Sequence, residues 1–231
     1  MWLAAVVSIG ALVAASPGLP AAAPAPPVEA RTPAVRPADP AAATRALETR
    51  LNAVRGLTAR FTQRLESVAL PSAQVEEGIV YVQRPGRMRW EYQVPPGKLA
   101  VADGERSWLY LPEDRQVLVV PIPDGRHDQG VGLLLRDRLD LLSEFAPEWG
   151  PSRSPGGPSS LLLRPRARQP AFDHLAVELD ATDFPVRLTV LDSLGGSVTY
   201  RFSDLRFIDR LDEGLFRFVP PAGLVVQELE P

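Results

Sequence analysis

Cysteine is absent from all 231 residues. That absence excludes disulfides, thiolate metal sites and a cysteine nucleophile, and also the lipid-modified cysteine of bacterial membrane anchoring. Histidine is almost absent: His127 and His174 stand far apart in the chain, which argues against a histidine metal site and a histidine general base. No field of one charge exists either, since the formal net charge is -3 and the basic residues are scattered. Nucleic acid is therefore excluded as a partner. The adjacent pairs His127 with Asp128 and Asp173 with His174 read as solvated loop or strand-face residues. Neighbouring strand positions point to opposite faces, so neither pair converges on one reacting atom without a bulge. We expect no metal, no cofactor and no enzymatic reaction.

The first 28 residues carry no charged side chain. Met1 to Ala15 is an apolar run too short for a comfortable membrane span, and Ala21-Ala22-Ala23 beyond it fits a small-residue cleavage site. Residues 1–23 read as an export signal, although no Lys or Arg precedes the apolar run; an uncleaved short anchor is the other reading. A chain without thiols suits an oxidising compartment. From Pro17 to Ala43 there are eight prolines and almost no large apolar residue. Such composition cannot bury enough surface to fold and behaves as an extended tether. The expected organisation is a signal over 1–23, a Pro/Ala-rich linker over 24–43 and one folded domain over 44–231.

Gly78 to Tyr92, GIVYVQRPGRMRWEY, is two alternating runs around a Gln-Arg-Pro-Gly corner. It predicts a hairpin with Met88, Trp90 and Tyr92 on one apolar face and Arg87, Arg89 and Glu91 turned to water. Thr44 is placed to cap a helix carrying Leu47, Leu51 and Val54, with Gly56 ending it. Leu57, Ala59, Phe61 and Leu65 then alternate with polar residues, so the period switches to that of a strand. Further strands are expected at Val75 to Arg84, Met88 to Gln93, Lys98 to Ala102, Ser107 to Leu111 and Gln116 to Val120, separated by turn residues such as Asp103-Gly104. Leu133 to Phe145 carries leucines at helical steps and predicts a second helix. A second meander follows through Leu161 to Leu163, Leu175 to Leu179, Val186 to Leu191, Val198 to Phe202 and Phe216 to Val219. About ten strands and two helices without βαβ alternation give a mainly β fold. A sheet that wide must curl, and the second helix is the natural cover of its concave side. The space beneath is either filled by side chains or kept for a ligand; the periodicity is the same for both.

Ala59-Arg60-Phe61-Thr62-Gln63, Gly78 through Pro85 with Met88-Arg89-Trp90, Val101-Ala102-Asp103-Gly104 with Trp108 and Tyr110, and Phe216 through Gly223 occur in an order that resembles the LolA family of outer-membrane lipoprotein carriers. The likeness covers roughly Thr44 to Val226. It implies an incomplete, unclosed antiparallel β-barrel of about ten or eleven strands under a helical lid, in the periplasm, with a cavity for lipoprotein acyl chains. A triacylated amino terminus has on the order of 45 methylenes at about 0.8 kcal/mol each, so free passage through water is excluded.

By the same resemblance Arg84, before its proline, is similar to a latch that bonds lid carbonyls and holds the empty cavity closed. Trp90 looks like the family's inward tryptophan, with Phe61, Met88 and Tyr92 on the cavity wall and Leu134, Leu135, Leu139 and Leu142 on the lid. The implied partners are lipidated lipoproteins, an inner-membrane ABC-type release complex and, where one exists, an outer-membrane acceptor; the carrier is expected to be a monomer. A membrane-anchored acceptor of the same fold would need the missing amino-terminal cysteine. Two other readings stay open: a periplasmic lipid-binding or lipid-sensing module of this fold without preference for lipoproteins, and a hydrolase, which would need a nucleophile and base in the cavity.

Overall fold

The computed structural model describes residues 39–122, 132, 136–152, 159–167 and 172–229. Helix α1 (Pro40–Asn52) is followed by β1 (Gly56–Glu66), β2 (Gln74–Gln83), β3 (Arg87–Val94), β4 (Leu99–Asp103), β5 (Arg106–Leu111) and β6 (Gln116–Pro121). A single helical turn, α2 (Leu141–Glu144), leads into β7 (Phe145–Ser152), β8 (Ser159–Pro165), β9 (His174–Leu179), β10 (Pro185–Leu191) and β11 (Ser197–Ile208). A 3-10 turn (Glu213–Phe216) and β12 (Val225–Glu228) complete the described elements. All twelve strands lie in one sheet in the order β12-β6-β5-β4-β3-β2-β1-β11-β10-β9-β8-β7, antiparallel except for the parallel pair β12 and β6. The two edge strands do not meet, so the barrel is unclosed. Register shifts at Thr58/Arg60, Glu77/Gly78 and Pro185/Arg187 mark bulges or irregularities of the kind that bend and twist strands.

The hairpin read from Gly78 to Tyr92 is present, and Met88, Trp90 and Tyr92 are buried together on its inner face. The opposite face is less open to water than alternation implies. Arg89 pairs with Glu91 at 2.6 Å and donates to the Leu215 carbonyl at 3.1 Å, because the carboxy-terminal segment lies over β3 and β4. Phe216 is buried there, and Phe218 continues to Trp108 and Tyr110 at ring separations of 5.9 and 6.0 Å. Phe216 to Val219 is thus a turn and an irregular strip rather than the expected strand. Asp212 starts that turn by accepting from the Gly214 N–H at 2.7 Å.

Both expected helices differ from their sequence readings. Helix α1 begins at Pro40, where Asp39 accepts from the Ala41 N–H at 2.9 Å and proline occupies the first helical position. That combination caps better than Thr44, whose hydroxyl instead donates to the Pro40 carbonyl one turn inside the helix. Gly56 does not stop the helix; it opens β1. Of the helix expected over Leu133 to Phe145, only Leu141–Glu144 is helical among the described residues, and Phe145 already begins β7. Among the described residues, cover for the concave side comes from α1 and the segment 136–144, with Leu47, Leu51, Leu139 and Leu141 in the same apolar cluster as Phe61 and Trp90.

Gly78 shows how tightly that cluster is fitted. A Cβ there would stand 2.0 Å from the Glu91 carbonyl oxygen and 2.8 Å from Phe61 Cε1, so the bare backbone makes room for the phenyl ring. Gly78→Ala should lower stability by about 1–3 kcal/mol. The loss would be read as a lower urea midpoint with unchanged slope.

Candidate functional site

The inner faces of β1 to β4 are stacked in layers because the strands pair in register. Leu57, Val82, Met88 and Ala102 form one layer; Ala59, Val80, Trp90 and Ala100 form the next; Phe61, Gly78 and Tyr92 form a third. The aromatic rings lock these layers together: Phe61 meets Trp90 edge-on at 4.5 Å and Tyr92 at 5.1 Å.

Between the first two layers, α1 and β11 lies an apolar crevice of about 530 Å³ with space open to solvent included, of which about 30 Å³ admits the centre of a water-sized sphere. That leaves room for one or two waters, so in this state the site is nearly filled by its own side chains. Leu51 and Val54 at the end of α1, Met88 and Trp90, and Phe184 and Phe202 across the opening are among its walls. The Trp90 indole N–H is buried and has no hydrogen-bond acceptor among the described residues.

Arg84 closes one side of the crevice and is itself buried. Its Nε donates to the Arg136 carbonyl at 2.6 Å, one terminal nitrogen donates to the Leu51 carbonyl, and the other reaches the Asp137 carbonyl at 3.1 Å and Asn52 Oδ1 at 3.4 Å. Burial pulls the guanidinium below its ordinary value; Asp137 opposes this and Arg55 adds to it. Leu51 lies in the last turn of α1, where carbonyls carry partial negative charge; its own also accepts from the Val54 N–H at 3.1 Å. Asn52 makes a second tie, donating to the Leu139 carbonyl at 3.0 Å and accepting from the Leu139 N–H at 2.9 Å. Glu48 accepts from the Leu141 N–H at 2.7 Å.

Arg84, Met88 and Trp90 therefore meet at the crevice, while Phe61 and Tyr92 are buried one layer beyond it. Leu139 is buried against the core and Leu142 is half-buried beside it. Leu134 and Leu135 lie outside the described residues, as do His127 and Asp128. His174 and Asp173 sit on the outer face. Asp173 precedes β9, so its carboxylate folds back on the neighbouring His174 Nδ1 at 2.6 Å. That bond holds the carboxyl below its usual range, with Arg164 helping. Sequence reasoning missed Asn52 and Glu48, whose positions on a short polar helix face give no signal of the segment they would bind.

The family model described as "Outer membrane lipoprotein carrier protein LolA" matches residues 52–219. The chain belongs to the LolA family. An outer-membrane lipoprotein carrier protein of Pseudomonas aeruginosa PAO1 is 31% identical over 192 residues, covering 82% of this chain and 90% of the relative. The protein of the same name from Alkalilimnicola ehrlichii is 32% identical over 188 residues, covering 81% and 85%. A solved LolA superfamily protein from Nitrosomonas europaea overlays with a TM-score of 0.41 at 11% identity, over 75% of this chain and 97% of that one. The sequence relatives carry the assignment.

Asn52→Ala would leave both backbone groups of Leu139 without their partner, at about 1–3 kcal/mol for an unsatisfied buried group. Amide hydrogen exchange should quicken at Leu139 and its neighbours over 136–141 while β1 and β2 stay protected.

Proposed function

We propose that this chain is a periplasmic carrier that takes the acyl chains of lipoproteins released from the inner membrane into its half-barrel and delivers them to the outer membrane. The observation that carries the reading is the apolar crevice under α1, bounded by Trp90 and held shut by Arg84, in a chain whose family relatives are named outer-membrane lipoprotein carriers. Acyl chains need apolar area in place of lipid, and the crevice walls supply it. They also need an opening, because the crevice as it stands has room for only one or two waters. Arg84 is the latch. Its bonds to Leu51 and to the 136–137 backbone tie α1 and the covering segment to the β2–β3 corner. Acyl chains that part these elements must break those bonds, which keeps uptake reversible.

Phe61, Met88, Trp90 and Tyr92 form the wall of the opened cavity, and Leu139 and Leu142 travel with the cover; Leu134 and Leu135, the other two leucines expected to meet the acyl chains, lie outside the described residues. Residues 1–23 act as the export signal and the stretch from 24 up to α1 as a tether; the expected linker bound of 43 moves back because Pro40 already starts the helix and Ala43 is buried in the core. The cargo passes from an inner-membrane ABC-type release complex to an outer-membrane acceptor where one exists. The carrier itself breaks no bond.

Titration of the delipidated protein with a triacylated lipopeptide, the same peptide without acyl chains and a phospholipid tests the reading, with Trp fluorescence and native mass as readouts. One-to-one uptake of the acylated peptide alone is expected. Trp90→Glu should weaken it by at least tenfold, and Arg84→Leu should slow release to an acceptor membrane while leaving uptake intact. Equal uptake of phospholipid would favour a general lipid-binding module instead.

A further inference from the structure

Below the three apolar layers the inner face changes character. The next register step pairs Gln63 with Glu76, and Lys98 lies beside them, its backbone carbonyl bonded to the Tyr92 N–H. Lys98 Nζ donates to both Glu76 oxygens at 2.7 and 2.9 Å and stands 4.3 Å over the Tyr92 ring. Gln63 donates to Glu76 Oε2 at 2.9 Å and accepts from the Tyr92 hydroxyl at 3.1 Å. Gln63 and Lys98 are both buried. Of the 25 basic residues, 24 are arginine; Lys98 is the single lysine of the chain. A buried ion pair adds little net stability over an apolar pair of equal volume, so stability alone does not account for it.

We propose that the Gln63, Glu76 and Lys98 cluster is the floor of the acyl-chain cavity and sets the length of chain it accepts. The inference rests on the carrier reading. A methylene chain descending along β2 and β3 passes Met88, Trp90 and Phe61, which are held by packing alone and can rotate away, before it reaches Tyr92, whose hydroxyl is tied to Gln63. At the fourth layer it meets groups that have satisfied one another. An acyl chain offers no hydrogen bond, so wedging it between Lys98 and Glu76 would leave the buried Lys98 charge unpaired and part the half-buried Glu76 from its partner. Three register steps of two residues each place this stop about 20 Å below the Met88 layer.

The single lysine supplies its own reporter. Lysine-selective ¹³C labelling of the wild-type protein gives one side-chain signal, followed while N-acyl peptides of increasing chain length are titrated. Affinity should rise about tenfold for each added pair of methylenes and then level off at one length. The Lys98 signal should stay in place for shorter chains and shift from that same length onward. In Glu76→Met with Lys98→Met, which removes both charges together, the plateau should move to longer chains. Affinity that climbs without a break in the wild type, a Lys98 signal equally perturbed by the shortest chain, or an unmoved plateau in the double variant would each overturn the floor. The wild-type arms decide the matter if the double variant fails to fold. Absence of binding at every length would remove the carrier reading and this inference with it.

Discussion

Arg84 donates to carbonyls on two separate stretches of chain, Leu51 in α1 and Arg136 with Asp137 in the covering segment. The rest of the inner architecture depends on that bridge. A sheet that does not close on itself has an apolar concave face with no opposing sheet, and among the described residues a helix and an irregular segment cover it. The carbonyls of Leu51, Arg136, Asp137 and Leu139 and the Leu139 N–H are bonded to Arg84 and Asn52, which ties the cover to the β2–β3 corner and to α1 at once.

The same arrangement explains how a filled interior can serve as a site. Polar bonds on the cover are few and localised, while the wall beneath is held by ring and methyl packing that can shift without leaving a charge unpaired. Opening is then a local event at one corner. On the other side, β3 and β4 are fixed from outside by the carboxy-terminal segment, through Arg89 and Phe216. The sheet at β3 is thus clad on both faces, by the core within and by the carboxy-terminal segment without.

Much of the fold was legible wherever period-two alternation acted alone. The Gly78 to Tyr92 hairpin and the inward row Met88, Trp90, Tyr92 follow from parity, and most strand spans from β1 to β11 fall within a few residues of their expected bounds. The failures share a cause. Leucine spacing at 133–145 signals a helix, but the backbone groups of 136, 137 and 139 are bonded to Arg84 and Asn52, distant in sequence and invisible to a local pattern. Strand β7 lies outside every strand the sequence predicts; it carries Pro147 and Gly150, which an edge strand tolerates. Strand β12 pairs parallel with a strand more than a hundred residues away. Within the site, the wall residues were legible by parity. The charged cluster was overlooked even though Gln63 interrupts the inward row Leu57, Ala59, Phe61, Leu65, which is a readable signal of a polar partner inside.

The sheet's two free margins bear on how such a protein survives at high concentration. An unclosed sheet presents unpaired backbone groups to any neighbour and so risks adding strands from other copies. At the β7 margin, FAPEWGPS brings two prolines that offer no N–H to a docking strand. At the other margin the outermost strand, β12, has four residues laid in parallel on β6 and fastened by Arg115 and Gln116 through Gly223 and Gln227, too short an edge to template another chain well. A fold kept open for cargo thus blunts, at both margins, the tendency of open sheets to polymerise.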